Sequence, residues 1–594
     1  MTKDTDNTAI SLACAVLGVC VIYVVVLDWR FPYIHQLPVF DLDYITTVSM
    51  MFARNWWIEG PRSMLFSMPY APLSVETATP DLRHGMYQSW PPGAILSIYL
   101  VAKLTNTEPN ISMVNWLNVA GHGLIALFLS FSAFLAANVL RRPKIEGVAL
   151  AITVGCVVLF PRGAVYFFSQ IYAFDTHIVV FYALLVFLTT LELGASDRFS
   201  AACYYFLQIA ILICGLFVDW LFYFVFAVWF AVRLVGSWTG YGRPLRRSEA
   251  CGLAILPIVT FSVFLVWRFL TPGSIAAKDG VLASIQELVW KAIYRIGNTD
   301  DHPVSASDFF GPFYESHRYF YWDSAPILIG AGFILCLALF AALFVMPRSD
   351  PSGRRIYFGL FSIFLLSIVP AYAQMIVFKQ HTFIHPWSLA KVVVPLAMIP
   401  GVFLPLLVVT VLERWQDRQK KFQWNKTWRV AGSLGVLAFA FWLSAAAWPS
   451  KPPYLLGRVD PAAAVPWLMI HQKTNYYDVV FSPDFEAIPF GIYAAVAGKL
   501  VYKANSFSDV GSKVDHICVP FNVVVVRNGD GAEEVFDGRK ADEVIRSGGI
   551  TLLRFQNYRG AAKSCLKRVI RGADTSVSPV PEADVRKESS DGLL

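Results

Sequence analysis

Charged residues are scarce in this chain. Asp, Glu, Lys and Arg make up 15% of its 594 residues, against roughly 25% in soluble domains. Hydrophobic residues make up 56%, and the mean hydropathy is +0.51. Several apolar runs approach or exceed the roughly 20 residues that cross a bilayer as a helix. The sequence therefore excludes an ordinary soluble domain and predicts a polytopic α-helical membrane protein.

Other absences narrow the function classes. The nine Cys residues show no metal-type spacing, so no zinc site is expected. The first apolar run lacks a small-residue cleavage site, and we expect it to be retained as an anchor. No internal repeat or inverted pair of broken helices is evident, which disfavours a transporter. The net charge of +7 lies mainly in short loops between apolar runs, where it sets topology and does not indicate nucleic-acid binding.

Eleven apolar runs predict membrane-spanning helices. They are 10–27, 113–139, 146–160, 175–193, 201–217, 218–236, 250–270, 325–346, 356–378, 388–411 and 430–447. A weaker run, 94–106, is short for a span and predicts a re-entrant or interfacial helix. We expect about 11 transmembrane helices, within a range of about 11 to 13.

The basic loops predict the orientation. They are Arg141 to Lys144, Arg243 to Arg247, Arg348 to Arg355 and Glu413 to Arg429. With all four in the cytoplasm, the eleven spans alternate without conflict. The N-terminus is then cytoplasmic, and the loop 28–112 and everything from 448 onwards lie outside. We expect the inner membrane of a bacterium, with the active site facing the periplasm or exterior.

The C-terminal region has a different composition from the membrane domain 1–447. Residues 476–482, 499–503, 522–527 and 550–555 predict strands, and 484–496, 539–547 and 559–570 predict helices. The alternation predicts a small α/β extracytoplasmic domain over 448–575. Residues 576–594, rich in Ser, Pro, Glu and Asp, are expected to be disordered.

Ionisable residues near the span ends gather on one expected face. Asp41 and Asp43 lie in the loop after the first span, in Phe40-Asp41-Leu42-Asp43-Tyr44. The others on this outer face are Arg162, Asp175, His177, Asp219, Arg268, His381, His385 and Lys391. Charges at membrane depth are costly and indicate function, although helix ends also collect charges. The pattern favours a membrane-embedded site that opens outward.

Cations and carboxylates together suit one reaction. Arg and Lys below the interface can hold a lipid-linked phosphate, and a carboxylate can take a proton from an acceptor hydroxyl. This combination describes sugar transfer from a polyprenyl phosphate. Asp43 or Asp41 is the expected base, with Asp43 preferred because it lies just before an amphipathic segment.

The chain resembles the GT-C superfamily of integral-membrane glycosyltransferases, which includes protein O-mannosyltransferases, aminoarabinose transferases and arabinosyltransferases. Asp41 and Asp43 occupy the place of the family's acidic motif at the start of the first external loop. The segment Tyr44–Gly60 is similar to the amphipathic helices of that loop, and Gln88-Ser89-Trp90-Pro91-Pro92-Gly93 resembles its closing Pro-Pro motif. The soluble tail is a further likeness. The resemblance covers mainly the membrane domain and leaves the subfamily open.

This resemblance implies a GT-C-like helical bundle and a hexosyl- or pentosyltransferase. The donor is a polyprenyl-phosphate-linked sugar, and the acceptor is a glycan, a lipid-linked glycan or a protein; membrane lipids are further partners. No cofactor and no divalent metal are expected. The predicted phosphate ligands are Arg268, Lys391, Arg162 and His385. The predicted substrate-lining residues are Asp175, His177, Asp219, Arg83, His84, Gln88, Trp90, Pro91, Pro92 and His381.

Three alternatives remain open. An O-antigen-type polymerase or ligase would use lipid diphosphate substrates and a large late loop. A lipid or solute transporter would place paired charges near the bilayer middle. A membrane scaffold would need no cluster of charges. The sugar, the acceptor, the linkage and the oligomeric state are not determined by the sequence.

Cys518 and Cys565 are expected to form a disulfide, because the domain that contains them is placed outside the cytoplasm, where disulfides persist. Mass mapping of peptides with and without reduction checks this pairing. The expected result is one linked peptide pair that separates on reduction, and two free thiols would contradict it.

Overall fold

The computed structural model describes residues 2–35, 44–69, 87–271, 274, 276, 279–297, 305–345, 351–418, 426–448, 469–470, 472–475, 478–484, 501–514, 521–529, 533–547 and 550–558. The chain divides into two compact units. The first contains Met1–Pro32, Asn115–Phe264 and Val289–Leu456, and the second contains Tyr33–Val114, Leu265–Leu288 and Gly457–Leu594.

Helices dominate the described chain. Before the midpoint they are α1 (Thr2–Arg30), α2 (Tyr44–Glu59), α3 (Gly93–Thr105), α4 (Ile111–Val139), α5 (Lys144–Leu159), α6 (Arg162–Gln170), α7 (Phe174–Gly194), α8 (Arg198–Leu216), α9 (Leu221–Thr239), α10 (Arg247–Leu270) and α11 (Val281–Ile296). After it they are α12 (Ala306–Phe320), α13 (Ala325–Val345), α14 (Pro351–Val377), α15 (Lys379–Ile384), α16 (Val393–Met398), α17 (Leu404–Arg418), α18 (Lys426–Ala447) and α19 (Phe507–Val514).

Among the described residues, ten helical segments are long and apolar enough to cross a membrane. The pair α5 and α6, bent by 65°, is an eleventh candidate. The bend falls at Pro161, which precedes α6 and has no N–H with which to continue α5. The predicted helical membrane bundle of about 11 spans is confirmed. Helix α3, with 13 residues, is short for a span, and α2 begins at Tyr44, where the amphipathic helix is predicted.

One span, Pro386–Trp415, is irregular along its length. It opens as a 3₁₀ helix over Pro386–Val392, continues as α16, passes through a π turn over Ile399–Phe403 and ends as α17. Pro386 begins the 3₁₀ helix and Pro400 lies in the π turn, and each lacks the N–H that a regular ladder needs. The irregular half of this span carries Lys391.

A buried ion-pair cluster joins three helices of the first unit. The Arg142 guanidinium donates to Glu146 at 2.8 and 3.0 Å and to Glu413 at 2.6 Å. The Ser433 hydroxyl donates to the same Glu146 carboxylate. The sequence places Arg142 in a basic loop that sets the orientation of the chain in the membrane. In the structure, this arginine also ties α5 to α17 and α18.

The second unit contains a mixed sheet. Its strands are β1 (Val479–Ser482), β2 (Val501–Lys503), β3 (Phe521–Asn528), β6 (Glu543–Ser547) and β7 (Ile550–Tyr558), in the order β2-β1-β3-β7-β6. Strands β4 (Val535–Phe536) and β5 (Arg539–Lys540) form a separate ribbon. Strand β1 is parallel to β2 and β3, and β7 is antiparallel to β3 and β6. The predicted small C-terminal α/β fold is confirmed.

The four predicted strands are present, but the helix predicted over 539–547 is wrong. This stretch forms β5 and β6, and β6 pairs with β7 from Glu543↔Arg554 to Ser547↔Ile550. The long, buried strand β7 supplies a ladder partner, and such pairing overrides a local helix preference. The predicted helices 484–496 and 559–570, the tail 576–594, Cys518 and Cys565 lie, apart from Asp484, outside the described residues.

Replacement of Arg142 by Gln is expected to cost about 3 kcal/mol of stability, because it leaves the buried Glu146 carboxylate without its main partner. Thermal unfolding of the purified chain in detergent measures the loss. Arg318→Gln is the matched control, since Arg318 pairs with Glu315 at the surface and such pairs contribute about 1 kcal/mol or less. Equal unfolding midpoints for the two variants would contradict the role of Arg142.

Candidate active site

Asp175 lies in the first turn of α7. The chain reaches it from α6 through the extended residues 171–173, and Thr176 closes the turn by accepting from Ala173 N–H at 3.0 Å and donating to Ile171 C=O at 2.9 Å. The Asp175 side chain is buried. A helix N-terminus stabilises negative charge, so this position suits an ionised carboxylate.

Two side chains, Lys391 and His381, contact Asp175. The Lys391 ammonium donates to Asp175 Oδ1, and both side chains are almost completely buried. His381 Nε2 lies 3.3 Å from Asp175 Oδ2, where its N–H donates. Because an ammonium has three donors, the Asp175 bond leaves Lys391 with capacity for a second anionic oxygen.

Asp219 forms a second buried carboxyl beside this pair. It sits in the turn between α8 and α9, where its Oδ1 accepts from Leu221 N–H at 2.7 Å and from the Gln374 amide at 3.2 Å. Its Oδ2 and the Gln374 Oε1 have no hydrogen-bond partner among the described residues. Burial raises the pKa of Asp219 to about 6, opposed by the charge of Lys391 and reinforced by that of Asp175.

The histidines around the pair are held neutral. Burial lowers the pKa of His385 to about 3, and the neighbouring His381 adds to the effect. Burial likewise lowers the pKa of His381, although its bond to Asp175 opposes this shift. The His385 ring packs at 4.6 Å from that of His381 and at 4.5 Å from that of Trp387. A neutral His385 can hydrogen-bond a phosphate oxygen but contributes no positive charge.

Helix α12 packs beside this cluster. The Tyr321 hydroxyl, just after α12, donates to Leu389 C=O at 2.6 Å, two residues before Lys391. His317 Nδ1–H donates to Phe313 C=O at 2.7 Å, and its Nε2 accepts from Tyr372 at 3.2 Å. Burial lowers the pKa of His317 to about 4. These bonds hold α12 against the segment that positions Lys391, a role that the sequence does not reveal.

Arg162 bonds to the end of α12. Its guanidinium donates to the carbonyls of Tyr319 and Arg318 and lies 4.7 Å from the Tyr319 ring. Arg162 therefore joins α6 to the end of α12. Gly163 allows this approach, because a Cβ there would lie 2.6 Å from Phe320 C=O.

In the second unit, Arg268 and Gln88 form their own cluster. Arg268 Nη1 donates to Gln88 C=O at 2.7 Å, and the Gln88 amide donates back to Arg268 C=O at 3.2 Å. Arg268 also donates to Ser284 Oγ at 3.0 Å and pairs with Glu287. Trp90 and Pro91 are buried, and Pro92 caps α3. The arginine charge is thus compensated locally.

The structure brings together five of the predicted site residues. They are Asp175, Asp219, His381, His385 and Lys391. His177 contacts Tyr172 instead, whose hydroxyl lies 3.4 Å from the His177 Nδ1. Sequence reasoning missed Gln374, for which a lone amide in an apolar run was the available signal. It considered Tyr321 only as one of several loop aromatics beside acidic residues that could bind a glycan. Asp41, Asp43, Arg83 and His84 lie outside the described residues.

An apolar groove of about 510 Å³ lies elsewhere, between α13, α17 and α18. Glu413 is the one titratable side chain in its lining, and it already pairs with Arg142. The groove therefore offers shape but no reactive groups. Within the described residues, no group of three or more His, Cys, Asp or Glu is arranged to hold a metal ion. Metal independence remains a prediction.

Neither a protein-family model nor a curated protein sequence matches the chain. Solved structures are similar to it. One is the oligosaccharyltransferase AglB from Archaeoglobus fulgidus in complex with an inhibitory peptide and a dolichol-phosphate, with TM-score 0.48 and 10% identity over 86% of this chain and 69% of that chain. ArnT from Cupriavidus metallidurans bound to undecaprenyl phosphate has TM-score 0.47 and 12% identity over 91% of this chain and 97% of that chain. ArnT in the apo state has TM-score 0.40 and 13% identity over 93% and 98%.

Both proteins are GT-C membrane glycosyltransferases, the superfamily that the sequence resembles. The identities are 10–13% and the TM-scores lie below 0.5. These values assign neither an activity nor a residue role to this chain.

The buried histidines predict acid instability. Below the usual histidine pKa of 6.5 the unfolded chain takes up protons that folded His385 and His317 do not bind until about pH 3 and 4, so stability falls as the pH drops from about 6.5 to about 4. Asp219 acts oppositely, because its folded pKa of about 6 exceeds the ordinary 3.8 and the folded state binds its proton first. Thermal unfolding midpoints measured across this range check both signs.

Two variants separate these contributions. His385→Asn is expected to flatten the loss of stability in acid, and Asp219→Asn is expected to steepen it. His35→Asn, at an exposed position, is the matched control and should leave the profile unchanged. A His385→Asn profile as steep as that of the parent would contradict the burial of a neutral imidazole.

Proposed function

We propose that this multi-pass membrane protein is a glycosyltransferase. It moves a hexosyl or pentosyl group from a polyprenyl-phosphate-linked donor to a hydroxyl of a glycan, lipid-linked glycan or protein. The reaction takes place at the outer face of a cell inner membrane, with the N-terminus in the cytoplasm.

The reaction balances with the groups proposed for it. A carboxylate takes the proton of the acceptor hydroxyl while the oxygen of that hydroxyl attacks the anomeric carbon of the donor sugar. The bond between that carbon and the donor phosphate oxygen breaks, and polyprenyl phosphate leaves with the electron pair. A cation beside the phosphate stabilises the charge that develops on it. We assign the base to Asp43 or Asp41.

The main support is the ion pair of Lys391 and Asp175 beside unsatisfied polar groups. Asp219 Oδ2, Gln374 Oε1, His385 Nδ1 and Ser388 Oγ are buried and have no partner among the described residues. Buried polar atoms in a folded protein are normally hydrogen-bonded. A polar substrate such as a sugar phosphate would satisfy them, and Lys391, held by Asp175, would meet the phosphate.

The assignment of the base is tested by Asp41→Asn and Asp43→Asn, made one at a time. One of the two is expected to lower kcat by about 100-fold or more, as loss of a general base does, while stability stays close to the parent. The assay follows labelled sugar from polyprenyl monophosphate hexose and pentose donors into envelope glycan. Asp308→Asn, in the surface-exposed start of α12, is the matched control.

Transfer at the parent rate by both aspartate variants would remove the general-base assignment. Donors with a diphosphate link are assayed in parallel. Activity with these donors and none with monophosphates would instead support the polymerase or ligase alternative.

Lys391→Met alone leaves the buried Asp175 carboxylate without its cation, so it is expected to lose stability as well as activity. The double variant Asp175→Asn with Lys391→Met removes both charges and should regain much of the lost stability. It should still transfer sugar about 100-fold more slowly than the parent, because the phosphate cation is gone. Recovery of activity together with stability would mean that the pair is only structural.

A further inference from the structure

Arg30 is a buried arginine in the last turn of α1, the first membrane-spanning helix. Its Nη2 donates to His122 Nδ1 at 2.6 Å. Its Nε and Nη1 have no hydrogen-bond partner among the residues that the structure describes. These two nitrogens carry three of the five guanidinium N–H groups. Most of the hydrogen-bonding capacity of this cation is therefore unused.

His122 orients Arg30 but does not neutralise it. Because a guanidinium only donates, His122 Nδ1 must accept, and the ring proton lies on Nε2, which donates to Val158 C=O at 2.9 Å. The imidazole is therefore neutral. It also stacks on Phe168 of α6 at 4.5 Å with an interplanar angle of 15°, which fixes the plane of the ring. Arg30 thus has a rigid neutral support on one side.

A buried positive charge without a counter-charge costs several kcal/mol. The two other arginines that the structure describes as less than a tenth exposed are each paired with a glutamate, Arg142 with Glu146 and Arg268 with Glu287. For Arg30, no carboxylate partner occurs in the described part of the chain. An anion that completes Arg30 would remove this cost.

A second unsatisfied donor accompanies Arg30. Asn118 lies one turn before His122 on the same face of α4, and its buried Nδ2 also has no partner among the described residues. Arg30 itself lies near the end of a membrane-spanning helix, and basic pockets between such helices bind the phosphate groups of lipids.

We propose that Arg30 and Asn118, with Arg30 oriented by His122, bind the phosphate group of a membrane lipid. A phosphate offers several anionic acceptors for the unused guanidinium donors. This site is separate from the pair of Lys391 and Asp175 and does not rest on the proposed glycosyl transfer.

The test uses the full chain purified in a neutral detergent, with dodecyl phosphate as the lipid probe and inorganic phosphate as the soluble one. Titration calorimetry and the thermal unfolding midpoint report binding. The parent should bind dodecyl phosphate and be stabilised by it. Arg30→Gln should bind it about 10-fold or more weakly, since hydrogen bonds to a charged group are stronger than neutral ones.

Two controls locate the binding. Arg233→Gln removes another intramembrane arginine, one that donates to Glu192 at 2.7 Å and to Gln208 at 2.8 Å, and should keep the parent affinity. The double variant Asp175→Asn with Lys391→Met removes the phosphate cation proposed for the transferase site, so titration of this variant reports the Arg30 site alone. It should still bind dodecyl phosphate, and adding Arg30→Gln to it should abolish that binding. If Arg30→Gln does not fold, Arg30→Lys serves instead; it keeps the charge but loses the planar fork, and weaker binding is expected.

Three results would overturn the proposal. The first is parent-like binding by both the Gln and the Lys variants of Arg30. The second is equal stabilisation of the parent by inorganic phosphate, which would mean a site for a soluble anion. The third is strong non-additivity between Arg30→Gln and Asp41→Asn or Asp43→Asn without any phosphate binding, which would identify a carboxylate of the chain as the partner.

Discussion

The ion pair between Asp175 and Lys391 is the contact on which the candidate site depends. It joins the first turn of α7 to the irregular opening of the span Pro386–Trp415, although the two residues are 216 positions apart. Neither charge could remain buried alone without a cost of several kcal/mol. The pair therefore fixes these two segments together, and the positions of His381 and Asp219 follow from it.

Irregular helix geometry makes this pairing possible. In a regular α-helix from Pro386 onward, the backbone N–H and C=O groups would bond to one another, and the direction of the Lys391 side chain would be set by the helix. The 3₁₀ opening that begins at Pro386 departs from that geometry, and Lys391 within it is buried. Tyr321 then holds the opening by donating to Leu389 C=O. Rigid support of this kind is what a site needs to hold a charged substrate in one geometry.

The sequence predicts the spans well because hydropathy is a local property. Each of the eleven predicted runs corresponds to a span or, for 146–160, to half of a bent pair. The helix predicted over 539–547 failed because the stabilising partner of β6 is the strand β7, and local propensity does not include ladder bonds. The helix that begins at Tyr44 was expected from the family resemblance, and the structure has a helix there.

The sequence by itself determined the membrane class, the number of spans and the set of ionisable residues near their ends. Only the tertiary structure decided which of these charges are already compensated. Arg162 donates to two backbone carbonyls, and Arg268 pairs with Glu287. Lys391 instead pairs with Asp175, close to buried polar atoms that have no hydrogen-bond partner among the described residues. Arg30, unremarkable in the sequence, has unused donors. The reason is physical: whether a charge is compensated depends on contacts between residues far apart in the chain, and no local pattern encodes them.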